Sequence, residues 1–108
     1  MELNAYQNDA MRTAIFPIDQ GIEYTTLGLV SEAGEVAGKV KKIIRDHGGN
    51  FNSEQRAAIA DEVGDCLWYV AALARELGYP LEHVAHMNLN KLESRARRGT
   101  LKGNGDQR

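Results

Sequence analysis

Cysteine and proline are scarce in this 108-residue chain, and their scarcity excludes several classes of protein. Cys66 is the single cysteine, so neither an intrachain disulfide nor a cysteine cluster for zinc can form. The chain has two prolines, 43% hydrophobic and 26% charged residues, a balance typical of a folded helical protein. Its length suits one domain with one core.

Long apolar runs and a basic excess are also absent. No segment approaches the roughly 18 apolar residues of a membrane span, and the first residues lack the pattern of a secretion signal. The formal net charge is −2, so the chain has no overall positive potential that would attract nucleic acid or an anionic membrane. Contacts with phosphate would therefore need a few placed cations. Together with the lone cysteine, these absences predict a cytoplasmic protein without membrane or nucleic-acid polymer partners.

Apolar residues at helical spacing predict four helices and no strands. The predicted segments cover roughly residues 3–15, 22–46, 53–77 and 80–98. We expect Ser53 to cap the third helix, Gly78 to end it and Pro80 to occupy the first turn of the fourth. The sequence therefore predicts an all-α domain over residues 1–98, followed by a glycine-rich, charged and mobile tail over 99–108.

Two pairs of acids lie on the two longest predicted helices. Glu32 and Glu35 share one face of the second helix, and Glu62 and Asp65 share one face of the third. Each pair has the same rotational offset from the apolar stripe of its helix, at about 100° per residue. Because a short loop favours antiparallel packing, both pairs should reach the same side of the core.

Four converging carboxylates would repel one another unless a cation offsets their charge. Oxygen ligands of this kind favour magnesium, with manganese as a substitute, over zinc. Spacing alone leaves a second interpretation open, because acid pairs are common on solvated helix faces.

Four stretches of the sequence resemble the MazG-like nucleotide pyrophosphohydrolases of the all-helical NTP pyrophosphatase superfamily. They are LGLVSEAGEVAGK at 27–39, DEVGDCLWY at 61–69, LGYPLEHVA at 77–85 and NLNKLESR at 88–95. The resemblance implies that Glu32, Glu35, Glu62 and Asp65 are the metal ligands and catalytic acids. It also implies a four-helix bundle with antiparallel central helices, completed as a homodimer or homotetramer.

The activity implied by the resemblance is hydrolysis of a nucleoside triphosphate to the monophosphate and pyrophosphate. Water attacks the α phosphorus, magnesium is the cofactor, and Glu35 is our candidate for accepting the proton of the water. Two alternatives are a non-catalytic helical interaction module and a regulator that binds nucleotides without hydrolysing them. A serine-histidine-acid triad has no support, because no glycine-flanked nucleophilic serine is present. A ferritin-like diiron site has none either, because no histidine has the Glu-x-x-His spacing.

The fourth helix carries a polar strip on an otherwise apolar face. Asn88, Lys91 and Arg95 project in one direction, and the resemblance implies that they hold the substrate. The alternative is an asparagine bonded to a neighbouring helix beside two basic side chains that extend into solvent. Tyr69, next to the second acid pair, is a further candidate for contact with the sugar of the substrate. We expect Trp68 to pack in the core or at a subunit interface, and Cys66 to be an unreactive core residue.

Overall fold

The computed structural model describes residues 1–108 as a helical protein without strands, which confirms the predicted all-α class. Two short 3-10 turns, Met11–Thr13 and Ile18–Gln20, connect the first helix to the second. The helices are α1 (Leu3–Ala10), α2 (Gly21–His47), α3 (Ser53–Glu76) and α4 (Leu81–Arg98).

The central unit is an antiparallel hairpin of α2 and α3. Gly21 faces Glu76 near one end of the pair, whereas Lys39 contacts Glu62 farther along, so the two helices run in opposite directions. Gly48 ends α2 with a left-handed φ of 60°, a conformation that costs glycine little because it has no Cβ. The short loop and antiparallel packing agree with the sequence-based expectation.

The start of α3 differs from the prediction by one residue. Asn52, and not Ser53, is the N-cap: its side chain accepts from the backbone N–H of Gln55 at 2.9 Å. The Gln55 side chain accepts in return from the Asn52 backbone N–H at 3.2 Å. This reciprocal capping box satisfies two helix-end donors, whereas a cap at Ser53 would put Arg56 in place of the glutamine.

The end of α3 and the start of α4 form a tight turn. Gly78 has a φ of 85° just beyond the C-cap Leu77, which confirms its predicted role in ending α3. Pro80 was predicted inside the first turn of α4, but it lies one residue before the helix, with an extended ψ of 141°. Its own carbonyl accepts from the backbone N–H of His83 at 3.0 Å and so begins the helix.

The core of one chain is small, with nine residues buried. Ala71, Ala74 and Leu81 form its centre, and Tyr6, Val70 and Val84 pack against them. The apolar stripes of α2 and α3 remain partly uncovered by the chain itself. Their exposed members include Leu27 (71%), Val30 (67%), Ile44 (60%) and Val63 (52%). Cys66 is half-buried rather than enclosed in the core.

The helices of this protein are not built to cross a membrane, since none is both long enough and apolar enough.

Candidate functional site

Three of the four predicted ligands meet on one side of the α2–α3 hairpin. Glu32 comes from α2, and Glu62 and Asp65 come from successive turns of α3. One carboxylate oxygen from each lies within 4.8 Å of the others. We call these three residues the acid cluster.

Burial and the neighbouring carboxylates both affect the ionisation of Glu32 in the acid cluster. The pKa of Glu32 is raised, first because the side chain is partly desolvated and then because Asp65, Glu62 and Glu35 lie near it. A carboxyl group in such surroundings is more costly to ionise than one in water. A divalent cation would offset this cost through direct contact with the oxygens.

Lys39 supplies a positive charge to the acid cluster from within the chain. Its Nζ lies 3.4 Å from an Oε of Glu62, across the interface between α2 and α3. The Glu62 side chain is 17% exposed and that of Lys39 is 38% exposed. Lys39 therefore pairs with an acid of α3 and not with the acids of its own helix.

Glu35 lies outside the acid cluster. It is exposed on α2 and does not place an oxygen among those of the other three acids. It is nevertheless close enough to Glu32 to contribute to the raised pKa of that residue. Its predicted roles as a ligand and as a proton acceptor therefore remain predictions.

An open cavity of about 330 Å³ adjoins the acid cluster. Glu32 and Asp65 form its acidic side, and Thr13, Trp68 and Tyr69 form the rest of its lining. Because acidic and aromatic groups share one cavity, its surface combines oxygen ligands for a cation with flat apolar rings.

Trp68 is fixed in this cavity by the segment that follows α1. Its indole N–H lies 3.0 Å from the carbonyl oxygen of Ala10 and 3.0 Å from Oγ1 of Thr13. Its ring meets that of Tyr69 edge to face, with centroids 4.9 Å apart. The indole therefore links the chain before α2 to the acid-bearing helix α3.

Tyr69 packs directly against the backbone of α2. A Cβ added to Gly28 would overlap the Tyr69 ring, so the glycine is required for this close approach. The pKa of the Tyr69 hydroxyl is raised, first by burial and then by Tyr24 and the nearby carboxylates of Glu32 and Asp65. The phenol consequently stays neutral and can donate a hydrogen bond.

The predicted strip on α4 lies apart from the acid cluster within one chain. Asn88 and Lys91 line a different cavity, of about 400 Å³, which also includes Tyr79 and Met87. Arg95 is buried and its guanidinium contacts the C-terminal segment. Lys91 contacts the same segment, so these two residues do share a face.

Two neighbours of the site were missed in the sequence. Thr13 lines the cavity, and Tyr6 is close enough to Asp65 for that carboxylate to raise its pKa, although burial is the larger cause. Both come from the N-terminal segment, where the helical pattern is too short to predict which side chains face α3. Spacing carries no signal for such contacts between distant segments.

Comparison with known proteins finds a family match over most of the chain. Residues 20–100 match the family described as MazG nucleotide pyrophosphohydrolase domain. The chain is also 47% identical to the Gene 37 protein of Mycobacterium phage L5, over the full length of both chains. No solved structure matches it. The matched region spans α2, α3 and α4 with all three residues of the acid cluster, and the chain therefore belongs to the MazG nucleotide pyrophosphohydrolase family.

Proposed function

We propose that this protein hydrolyses nucleoside triphosphates to nucleoside monophosphates and pyrophosphate, with magnesium as its cofactor. The convergence of Glu32, Glu62 and Asp65 beside an open cavity carries the proposal. Family membership supports the same class of reaction.

The acid cluster fits a hard divalent cation. Its donors are carboxylate oxygens within 4.8 Å of one another. The pKa of Glu32 is raised first by desolvation and then by the neighbouring carboxylates, whose charge a cation would offset. No histidine or cysteine sulfur takes part, which favours magnesium or manganese over zinc. A bound magnesium ion would polarise the phosphoryl oxygens and lower the pKa of a water molecule.

The residues around the cavity have distinct proposed tasks. Tyr69 donates a hydrogen bond to the substrate, consistent with its neutral hydroxyl at the cavity wall. Glu35, exposed and one turn from Glu32, accepts the proton of the attacking water. Asn88, Lys91 and Arg95 bind the phosphates, and since they lie elsewhere in one chain, this role belongs to an assembled oligomer.

Assembly into a homodimer or homotetramer is the second part of the proposal. The accessible surface of one chain is 7787 Å², whereas a compact monomer of this mass exposes about 5,900 Å². Its radius of gyration is 16.7 Å, against about 13 Å for a compact domain of 100 residues. The excess surface includes Leu27 and Val30 on α2. We propose that the same apolar face of a second copy of the chain covers it.

Pyrophosphate release from a panel of ribo- and deoxyribonucleoside triphosphates tests the activity. We expect release with magnesium and none with a chelator in excess. Asp65→Asn and Glu62→Gln should each lower turnover at least about a hundredfold if the metal contact is lost. Glu54→Gln, which removes an exposed acid in the first turn of the same helix, is the matched control. If no triphosphate is hydrolysed, the protein is a nucleotide-binding or interaction module.

Sedimentation velocity tests the assembly. Val30→Glu places a charge on the exposed stripe of α2, and it should convert the oligomer to monomers. Lys41→Glu, on an exposed site of the same helix, should leave the sedimentation coefficient unchanged. A wild-type protein that sediments as a monomer at micromolar concentration would contradict the proposal.

A further inference from the structure

The C-terminal segment places a carboxylate against two cations of α4. Oδ1 of Asp106 lies 3.4 Å from Nζ of Lys91 and 3.5 Å from a guanidinium nitrogen of Arg95. The same nitrogen of Arg95 also donates to the carbonyl oxygens of Asp106, at 3.0 Å, and Gly105, at 3.4 Å. The segment therefore caps this pair of cations, which we call the Lys91–Arg95 pair.

Arg95 is incompletely satisfied by these contacts. Its side chain is 6% exposed, and its buried Nε has no hydrogen-bond partner. The carboxylate that faces it belongs to Asp106, whose side chain is 81% exposed, so this ion pair is weak. A buried guanidinium is costly unless it is paired, and an anion with more oxygens would compensate it better.

The segment keeps its shape through contacts of its own. Nε of Arg108 donates to the carbonyl oxygen of Thr100 at 3.1 Å, and another of its guanidinium nitrogens donates to Gly105 at 2.6 Å. Gly103 and Gly105 have φ values of 129° and 84°, which allow the chain to turn back. Asp106 attaches this loop to α4 without being needed to close it.

Charge is distributed unevenly along the chain. Residues 91–108 contain six lysines and arginines but two acids, although the chain as a whole has a net charge of −2. Asp106 is the acid that lies against the Lys91–Arg95 pair, because Glu93 bonds to Arg97 instead. The pKa of Asp106 is lowered, first by Lys91 and then by Arg95, so its carboxylate is ionised at neutral pH. Without the Asp106 carboxylate, no acid would lie against the Lys91–Arg95 pair.

We propose that Asp106 is an internal ligand of a phosphate-binding site formed by Lys91 and Arg95, and that phosphate-bearing ligands must displace it. The identity of the ligand as a triphosphate or its pyrophosphate product rests on the proposed function. The tail thereby lowers the affinity of the free protein for these anions.

Titration calorimetry with inorganic pyrophosphate in EDTA tests the site without the metal or turnover. Asp106→Asn should bind pyrophosphate about three- to tenfold more tightly than wild type, because no carboxylate competes. Glu93→Gln removes the same charge from α4, where the carboxylate bonds to Arg97 and not to the Lys91–Arg95 pair. It should change the affinity less than twofold, because a surface charge is screened by solvent and salt. Lys91→Met should weaken binding and abolish the gain from Asp106→Asn in the double variant. Arg95→Lys keeps the positive charge at this buried position, so it tests whether the guanidinium itself is required for pyrophosphate binding.

The outcomes separate this inference from the proposed activity. Equal affinities of wild type and Asp106→Asn, or equal gains in Asp106→Asn and Glu93→Gln, would overturn the inference while leaving hydrolysis intact. A gain specific to Asp106→Asn in a protein that hydrolyses no triphosphate would support the site and defeat the proposed function. In an active protein, Asp106→Asn should lower KM.

Discussion

Lys39 on α2 reaches across the helical hairpin to Glu62 on α3, with 3.4 Å between the ammonium and carboxylate groups. Glu62 is also a member of the acid cluster, so Lys39 and a divalent cation bound there would compete for the same carboxylate. Such competition would make the affinity for the metal depend on the charge of Lys39.

Lys39→Met should therefore tighten magnesium binding. An ion pair with a partly exposed lysine contributes about 0.2–1 kcal/mol, so the gain should be up to about fivefold. Metal-free Lys39→Met should also melt slightly below wild type, because the acid cluster loses a counter-charge. Titration calorimetry with magnesium measures the affinity, and Lys41→Met, which removes an exposed lysine from the same helix, is the control. Weaker magnesium binding by Lys39→Met would show that Lys39 supports the site and does not compete.

Glu32→Gln should raise the melting temperature of the metal-free protein at neutral pH by a few degrees. The folded-state pKa of Glu32 is raised, so wild-type stability falls as pH rises from the unfolded-state pKa through the higher folded-state value. A neutral glutamine does not titrate, and its advantage should disappear when the pH falls below that window. Differential scanning calorimetry from pH 3.5 to about 8 covers the window. If the melting temperatures of the two proteins depend on pH in the same way, the pKa of Glu32 is not raised in the folded protein.

Magnesium should reverse that order of stability. By binding to the folded wild-type cluster, it should raise the melting temperature by mass action, whereas Glu32→Gln lacks one charged carboxylate of the cluster and should respond weakly. The comparison with and without a chelator therefore separates relief of repulsion from a general effect of the substitution. Equal responses of the two proteins to magnesium would remove Glu32 from the site.

The convergence of acids was predictable because it depends on regular geometry. Glu32 and Glu62 have equivalent offsets from the apolar stripes of their helices, and antiparallel packing brings equivalent offsets together. The position of Glu35 was not predictable in this way. Residues three apart diverge by about 60° around a helix, yet Glu62 and Asp65 both reach the cluster whereas Glu35 does not. Side-chain length and rotamer then decide which oxygen reaches the cluster.

Local sequence signals predicted the helix ends more accurately than they predicted the contacts between helices. Gly48 and Gly78 end α2 and α3 as their sequence context indicates, because their role depends on the backbone alone. The N-cap of α3 was predicted at Ser53 but is Asn52, because both residue types cap helices and the two positions are adjacent. The contact of Thr13 with Trp68 joins segments 55 residues apart, and periodicity contains no information about such a pair.

Gly28→Ala should disturb the cavity through Tyr69. The new Cβ would overlap the Tyr69 ring, and relieving such overpacking costs about 1–3 kcal/mol. We expect a lower melting temperature and a higher KM, because the ring moves at the cavity wall. Gly38→Ala on the same helix has no neighbour within 4 Å of the new Cβ, so it should stabilise the helix by up to about 1 kcal/mol. If both variants behave alike, the close approach of Tyr69 is not maintained in solution.

Gln7→Ala should destabilise the protein by about 2–4 kcal/mol, because it leaves the buried Leu81 N–H without its acceptor and removes two further hydrogen bonds. The Gln7 side chain donates to the carbonyl oxygens of Ala71 and Tyr79, at 3.1 and 3.2 Å, and accepts from the Leu81 N–H at 2.9 Å. The first amide of α4 thus receives its cap from α1, since Pro80 has no side-chain acceptor.

The matched comparison is Asn4→Ala, which removes an exposed acceptor of the neighbouring Glu82 N–H. Water can replace that bond, so the cost should be about 0.5–1.5 kcal/mol. Urea unfolding measures both free energies, and hydrogen exchange reports the Leu81 amide directly. Fast exchange at Leu81 in Gln7→Ala, with α3 still protected, would show that α1 holds α4 in place. A loss below 1 kcal/mol with slow exchange would mean that α4 docks without Gln7.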